Sequence, residues 1–319
     1  MATFKEDLIN RFWDYQGNYF KDTQGLFERP RASEGRPPIF RSNFASNNIL
    51  IKQGLPESIK QEVLNQIPTH QRHKWFRNMS SSQALAQSVF GNLKVFNKLA
   101  CLAELKGDDG KPLFIRGVNS NERFSMEFVV NYLGEPRSTS VDLFFDGDYR
   151  VVVECKFTEP EVGSCSRPKL KPKGSNYNQD YCDRRYVVQR GRSDRCSLSN
   201  KGIKYWRYIP RLFKWSADID YEPCPLYETY QLVRNILAAC IRQDGKLDPE
   251  NGNAVLLYDA RNPAFQARGK GWVAWQNVRS ALKDPSRLQS CTWQQVVNAM
   301  RFEHNLSWLT DALSQKYGL

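Results

Sequence analysis

The stretch that decides the fold is SVDLFFDGDYRVVVECKF, residues 140–157. Two runs rich in β-branched and aromatic residues flank the turn sequence DGD, which predicts a hairpin with strands over 140–145 and 150–157. Alternate side chains of a strand point to the same face. Glu154 and Lys156 are therefore expected side by side, at the end of an apolar strand where two charged groups need partners.

The carboxylate of Asp142, on the first strand of the hairpin, could lie beside them. Two carboxylates and an ammonium at one point favour a divalent metal with oxygen ligands, Mg²⁺ or Mn²⁺. Such a metal would lower the pKa of a water molecule and offset charge on a phosphate, while Lys156 would orient the attacking water or help to deprotonate it. The pattern therefore predicts phosphodiester hydrolysis, with Asp142, Glu154 and Lys156 at its centre.

Further patterns place these residues in an α/β domain. Helical spacing of apolar residues begins at Ser81, and a β-rich run follows over 124–133. After the hairpin, an amphipathic helix over 226–242 precedes a buried strand over 253–260. We expect a mixed β-sheet flanked by helices, with residues 1–80 as an N-terminal extension of the domain formed by 81–319.

The order of helix, Asp142 strand and Glu154-x-Lys156 strand resembles the PD-(D/E)xK nuclease superfamily. The segments SSQALAQSVFGNL, TSVDLFF, VVVECKF and YQLVRNILAA together are similar to restriction-endonuclease-like proteins of that superfamily. The resemblance covers roughly residues 75–300 and implies an αβββαβ core with Asp142 and Glu154 as metal ligands. It also implies the main-chain carbonyl of Cys155 as a further ligand and Lys156 as the catalytic lysine. Val141 stands where the motif has its proline.

Two more residues are candidates for the same site. Glu127 lies on the first strand and is either a third acid near the metal or a solvent-facing residue of an edge strand. Gln231 shares a helix face with Arg234 and Asn235. It resembles the Gln-containing motif of RecB-like nucleases, which implies that it positions Lys156 or binds a phosphate; the alternative is a solvated helix face.

A basic, cysteine-containing insertion is expected over about 160–224. The chain carries a net charge of +12, and residues 160–215 contain 14 Lys or Arg against 4 Asp or Glu. Basic residues interleaved with Tyr and Trp over 169–214 predict contacts to DNA phosphates and bases. The chain has no apolar run long enough for a membrane span and no N-terminal signal pattern, so we expect a cytoplasmic protein that does not bind membranes.

The insertion also contains Cys165, Cys182, Cys196 and Cys224, which could hold Zn²⁺ or an iron–sulfur cluster, or could be unrelated thiols. The other four cysteines are expected in the core: Cys101, Cys155, Cys240 and Cys291. His70 and His73 have metal-ligand spacing but no acidic motif near them, so they are expected on the surface.

The residues predict phosphodiester hydrolysis, and the resemblance implies a DNA endonuclease of restriction or defence type. A DNA-binding protein without catalysis, an RNA-directed nuclease and a protein-interaction module remain as alternatives. A homodimer is compatible with cleavage of both strands, although no residue pattern indicates one.

Overall fold

A mixed five-stranded sheet forms the centre of the molecule. The computed structural model describes residues 3–20, 23–28, 35–114, 118, 123–135, 139–166, 182–188 and 194–319. The strands are β1 (Phe124–Val130), β2 (Thr139–Phe145), β3 (Arg150–Cys155), β4 (Gly252–Tyr258) and β5 (Leu288–Thr292), in the spatial order β1-β2-β3-β4-β5. Pairing is antiparallel from β1 to β3 and parallel from β3 to β5. The expected α/β class with a mixed sheet is confirmed.

Eleven α-helical segments occur in the described residues. They are α1 (Phe4–Tyr19), α2 (Thr23–Leu26), α3 (Glu57–Leu64), α4 (Ser82–Ala86), α5 (Asn92–Val95), α6 (Ser197–Asn200), α7 (Tyr205–Leu212), α8 (Tyr230–Cys240), α9 (Lys270–Ala281), α10 (Trp293–Met300) and α11 (Ser307–Tyr317). A π-helical turn, Gln87–Gly91, joins α4 to α5. Short 3₁₀ helices complete the described structure: Ser42–Asn48, Thr69–Gln71, Leu99–Glu104, Pro249–Asn251, Pro263–Phe265, Pro285–Arg287 and His304–Leu306. Across the described ranges, every helix is too short or too polar to traverse a bilayer.

Both faces of the sheet are buried. On one face α1, α4, α5, α10 and α11 contribute to a hydrophobic cluster that includes Leu143 and Val153. On the other face α7, α8 and α9 contribute to a second cluster that includes Phe144 and Val152. All six residues of β3 are buried, as expected for a central strand covered on both sides. The end of β3 therefore lies deep between strands and α8.

The N-terminal residues share the core of the sheet. Leu8 and Phe12 of α1 and Phe40 and Met79 further along the chain belong to the first hydrophobic cluster. Helix α1 begins with a capping box, in which the Thr3 side chain and the Glu6 side chain each accept from the other residue's backbone amide. The boundary at residue 80 stays a prediction, although the segment before it packs on the same core.

The helix expected from Ser81 onward is interrupted. Its apolar face is buried as predicted, but Ser88 donates from its hydroxyl to the carbonyl of Ala84, and Asn92 donates from its amide to the carbonyl of Ser88. Side-chain donors of this kind compete with the regular i to i−4 bonds of a helix. The π-helical turn contains Ser88 and ends immediately before Asn92. It is the kind of irregularity that occurs frequently near functional sites.

Candidate functional site

Three carboxylates occupy facing positions on three neighbouring strands. The β2–β3 ladder is paired as far as Leu143↔Val153, so the next positions on each strand, Asp142 and Glu154, face each other. On the other side of β2, the pairs Met126↔Leu143 and Phe128↔Val141 enclose the positions of Glu127 and Asp142. Register thus brings the three acids together at one end of the sheet.

Glu127 adopts a backbone conformation that is rare in a strand. Its φ is 50°, in the left-handed region, which costs a non-glycine residue about 1 kcal/mol or more. Before it, Phe124 and Met126 pack on one face of the sheet, and after it Val130 packs on the other. Such a switch of face is what an irregular strand residue produces.

The switch directs the Glu127 side chain into the site. Glu127 is 8% exposed and accepts hydrogen bonds from the Gln83 amide, at 2.6 Å, and from the Ser140 hydroxyl. Glu127 therefore lies beside Asp142, as expected for a third acid of the site, and does not face solvent as the alternative interpretation had it. Gln83, at the start of the irregular helix, and Ser140 were not singled out by sequence patterns.

Glu154 and Lys156 form a buried ion pair, with 2.8 Å between Glu154 Oε1 and Lys156 Nζ. Their side chains are only 4% and 9% exposed. A buried pair of this kind is costly unless further hydrogen bonds complete it. Lys156 Nζ donates to Gln231 Oε1 at 2.9 Å, which supplies one of them.

Helix α8 supplies the remaining partners of Glu154. Asn235 Nδ2 donates to Glu154 Oε2 at 2.6 Å, and the Arg234 guanidinium lies 3.6 Å from the same oxygen. Arg234 also donates to Asn235 Oδ1 at 3.1 Å. The expected shared face of Gln231, Arg234 and Asn235 is observed, and it is turned toward β3 and not toward solvent.

Gly163 makes room for Gln231. It has a φ of 103°, and a Cβ built there would overlap the Gln231 side-chain amide. The carbonyl of Gly163 accepts from the Gln231 backbone amide at 3.3 Å. The close approach requires glycine. A lone Gly after a predicted strand gave no usable signal in the sequence.

The acids perturb one another electrostatically. Burial raises the pKa of Asp142 well above its ordinary value, and the neighbouring charges of Glu154 and Glu127 add to the effect. Burial also raises the pKa of Glu127. Burial opposes ionisation of Glu154, but Lys156 and Arg234 outweigh it and lower the pKa of that carboxyl.

The cation of the site is held in its charged form. Burial works against the charge of Lys156, but Glu154, Glu159 and Asp142 outweigh it and raise the pKa of its ammonium. One ammonium and one guanidinium thus stand among three carboxylates. Asp142 also accepts from the backbone amide of Cys155 at 2.6 Å. The centre carries more anionic groups than its own cations neutralise, which fits a site for a divalent cation.

These groups open into a cavity of about 680 Å³. Its walls include Asp142, Glu154, Lys156, Gln231 and Arg234 together with polar residues of the segment 71–83. Trp75, on the same wall, is 49% exposed. A cleft with charged groups at its base and an exposed aromatic ring at its rim suits a substrate with both charged and flat parts.

The two histidines with metal-ligand spacing lie at the surface, and His73 lines the same cleft as the acids. His70 and His73 are exposed, and His73 Nδ1 accepts from the Trp75 backbone amide. Cys155, Cys240 and Cys291 are buried, as expected, and Cys101 is half-buried against the first hydrophobic cluster. Within the described ranges, no three side chains of His, Cys, Asp or Glu, the acids of the cleft included, are arranged so that they could hold a metal ion, so a metal in the cleft would need a ligand other than a third such side chain.

The basic insertion is described only in part, because residues 167–181 and 189–193 lie outside the described ranges. Its described portions contain α6 and α7 and the four cysteines of the insertion, none of which forms a disulfide with a described residue: Cys165, Cys182, Cys196 and Cys224. Several of its arginines pair with acids of the same segment, such as Arg185 with Asp183 and Arg195 with Asp220. The DNA contact expected over 169–214 therefore lies partly outside the described residues and stays a prediction.

Comparison with curated proteins and with solved structures gives no significant match. Comparison with protein families gives one: residues 14–318 match the family described as "Restriction Endonuclease associating with ARP". The match covers the sheet, the three acids, Lys156 and α8. The chain belongs to this restriction-endonuclease-like family, whose description indicates a nuclease-like role.

Proposed function

We propose that the protein is a Mg²⁺-dependent endonuclease that hydrolyses phosphodiester bonds of DNA, in a restriction or defence role. One observation carries the proposal: Glu127, Asp142 and Glu154 converge with Lys156 at the base of an open cleft. A purely structural ion pair needs no excess of carboxylates and no opening to solvent. Restriction endonucleases act on DNA, and the family description favours that substrate.

Asp142 and Glu154 would hold the metal, with the main-chain carbonyl of Cys155 as a further ligand. The Cys155 amide donates to Asp142, and in a strand the carbonyl of a residue points to the same edge as its amide. The carbonyl therefore faces the gap between β2 and β3 where both acids lie. Glu127 would be a third acid near the metal, acting through a water molecule and not as a direct ligand. A bound Mg²⁺ or Mn²⁺ would supply Lewis-acid stabilisation of the phosphate and lower the pKa of a water molecule.

Lys156 would orient the attacking water and stabilise negative charge that develops on the phosphate. Its ammonium is fixed between Glu154 and Gln231, so it is oriented before substrate binds. Gln231 would act by positioning Lys156, and Asn235 and Arg234 by orienting the carboxylate of Glu154. Preorganised groups of this kind account for much of the rate acceleration in phosphoryl transfer.

The DNA backbone would be bound by the basic insertion over 169–214. Residues 160–215 supply most of the net positive charge of the chain. A surface of that charge binds nucleic acid with a strong dependence on salt. A homodimer would allow cleavage of both strands, and its existence is tested by measuring the mass of the protein in solution.

The test is cleavage of supercoiled plasmid, single-stranded DNA and RNA of matched sequence, in Mg²⁺, in Mn²⁺ and in EDTA. We expect DNA cleavage that requires metal and falls by at least about 10²-fold in Lys156→Met. Lys246→Met is the matched control, because its side chain is 78% exposed and lies outside the cleft. That variant should retain wild-type activity.

Other outcomes would reassign the function. Salt-sensitive DNA binding by the folded protein without cleavage would make it a DNA-binding protein on a nuclease fold. Preference for RNA would make it an RNA-directed nuclease. Cleavage that survives Lys156→Met would mean that the active site lies elsewhere. Glu127→Gln tests the third acid: lost metal affinity with retained folding supports that role, and unchanged affinity removes it.

A further inference from the structure

One wall of the cleft carries three consecutive exposed residues, His73, Lys74 and Trp75. Single exposed aromatic rings are common on protein surfaces, so exposure alone indicates nothing. The position of Trp75 distinguishes it, because its ring is 49% exposed and lines the same cavity as Asp142 and Lys156. A flat apolar surface thus stands beside the groups that would hydrolyse a phosphodiester.

Hydrogen bonds fix the backbone on both sides of Trp75. Before it, the His73 amide donates to Gln83 Oε1 at 2.8 Å, and the Trp75 amide donates to His73 Nδ1 at 3.3 Å. After it, the side-chain amide of Asn48 donates to the carbonyl of Phe76 at 2.7 Å, and the ring of Phe76 is buried. A ring held in place before a ligand arrives loses little conformational entropy when the ligand packs on it.

The same hydrogen bonds join this wall to the acids. Gln83 accepts from the His73 amide through Oε1 and donates through Nε2 to Glu127 Oε1 at 2.6 Å. One side chain therefore links the segment that carries Trp75 to an acid of the site. The ring stands in a fixed relation to the acids, as required of a group that positions a substrate strand.

Lys74 places a positive charge next to the ring. Its ammonium lies 5.3 Å from the centroid of the Trp75 ring, and its side chain is exposed. A nucleotide carries a flat base and a charged phosphate on one sugar. The ring and the ammonium are adjacent complements to these two groups, since bases stack on aromatic side chains and phosphates bind lysine.

We propose that Lys74 and Trp75 form a subsite for one unpaired nucleotide of the substrate strand, a subsite that rests on the nuclease function proposed above. The base stacks on Trp75 and the phosphate lies near Lys74. Neighbouring bases cover both faces of a base inside a duplex, so only an unpaired or splayed base can offer a face to the ring. The cavity of about 680 Å³ is of the size that encloses a small molecule, such as one nucleotide. The substrate is therefore a DNA strand that is single-stranded beside the scissile phosphate.

The experiment measures binding of the full chain, in EDTA, to a labelled single strand, to the matched duplex and to the same strand with abasic sites in place of its bases. Trp75→Ala should weaken binding to the intact single strand by about tenfold to hundredfold, and binding to the duplex and the abasic strand by less than about threefold. Phe302→Ala, at a ring 80% exposed outside the cleft, should change none of the three. Comparison of intact and abasic strands separates stacking from any effect of the variant on folding.

Two further measurements locate the nucleotide. Irradiation of the unmodified protein with a single strand containing 5-iodouracil should give a crosslink that mass spectrometry assigns to Trp75. Lys74→Met should lower the slope of log affinity for the single strand against log salt concentration by about 0.7, more than the matched Lys246→Met does.

Defined outcomes would overturn the subsite. They are equal weakening of single-strand and duplex binding in Trp75→Ala, equal weakening for intact and abasic strands, or crosslinks only to other residues. Tighter binding of single-stranded RNA through the same residues would overturn the choice of DNA. None of these measurements needs metal or cleavage, so the expected binding results without any nuclease activity would reject the nuclease function and keep the subsite.

Discussion

Replacing Asp142 with asparagine should stabilise the protein in the absence of metal while abolishing its response to metal. Asp142 accepts from the Cys155 amide and faces Glu154 and Glu127 across the strands. Asparagine can keep the bond from Cys155 through its carbonyl oxygen. Its NH₂ can donate to one of the two carboxylates in place of a like charge, which is worth about 1–3 kcal/mol. For a chain of this size that corresponds to a rise in Tm of about 2–6 °C.

The effect should depend on pH with a definite sign. Burial and the neighbouring acids raise the pKa of Asp142 in the folded protein. A carboxyl whose folded pKa is raised contributes its stability below its unfolded pKa and loses it as pH rises through the folded value. Asp142→Asn removes this loss, so the free energy of unfolding of the variant should exceed that of wild type by more at pH 8 than at pH 5.

Thermal unfolding in EDTA and in Mg²⁺, at pH 5 and pH 8, measures both effects. The free energy of unfolding of wild type should rise by about 1.4 kcal/mol when the Mg²⁺ concentration is ten times the dissociation constant, and that of Asp142→Asn should change little. Asp148→Asn is the matched control, since its side chain is 88% exposed on the turn after β2. A variant less stable than wild type in EDTA at pH 8, or one that responds to Mg²⁺ as wild type does, would refute the reasoning.

Three further substitutions probe the surroundings of the acids. Gly163→Ala should displace Gln231, and because residue 163 has a left-handed backbone the variant should lose about 1–3 kcal/mol of folding stability. Its kcat should fall by a larger factor than its KM rises. Thermal unfolding measures the first effect and steady-state kinetics the second. Arg234→Met removes a cation 3.6 Å from Glu154, so the pKa of that carboxyl should rise and the acidic limb of the pH–activity profile should move to higher pH. Trp75→Ala should raise KM for single-stranded DNA by about tenfold to hundredfold if a base stacks on the exposed ring, and Trp75→Phe should largely restore it.

The central hairpin of the sheet and the contacts among the main residues of the site could be predicted from the sequence. Period-two alternation over the hairpin placed Glu154 and Lys156 on one side, and the two are in contact. Helical periodicity placed Gln231, Arg234 and Asn235 on one face, and all three contact Glu154 or Lys156. Both predictions rest on local geometry, which follows from the spacing of residues alone.

Features that depend on contacts distant in sequence were not predictable in this way. Strand β5 (Leu288–Thr292) was missed, because a five-residue strand of mixed polarity has no clear alternation and pairs only through β4. The inward turn of Glu127 follows from one left-handed residue, which no propensity predicts for a glutamate. Gln83, 44 residues before Glu127, contacts it only after the irregular helix packs against β1.

The two ends of the basic insertion are joined by backbone hydrogen bonds, which bears on how the insertion can change in evolution. Backbone hydrogen bonds join Gly163 to Gln231 and Cys165 to Tyr227. The first and last residues of the insertion are therefore held together next to Lys156. The entropic cost of closing a loop grows only slowly with its length. Between these joined ends, residues can be inserted, deleted or exchanged over many generations without moving β3 or Lys156. Changes within the insertion can therefore accumulate while the arrangement of residues around Lys156 stays fixed.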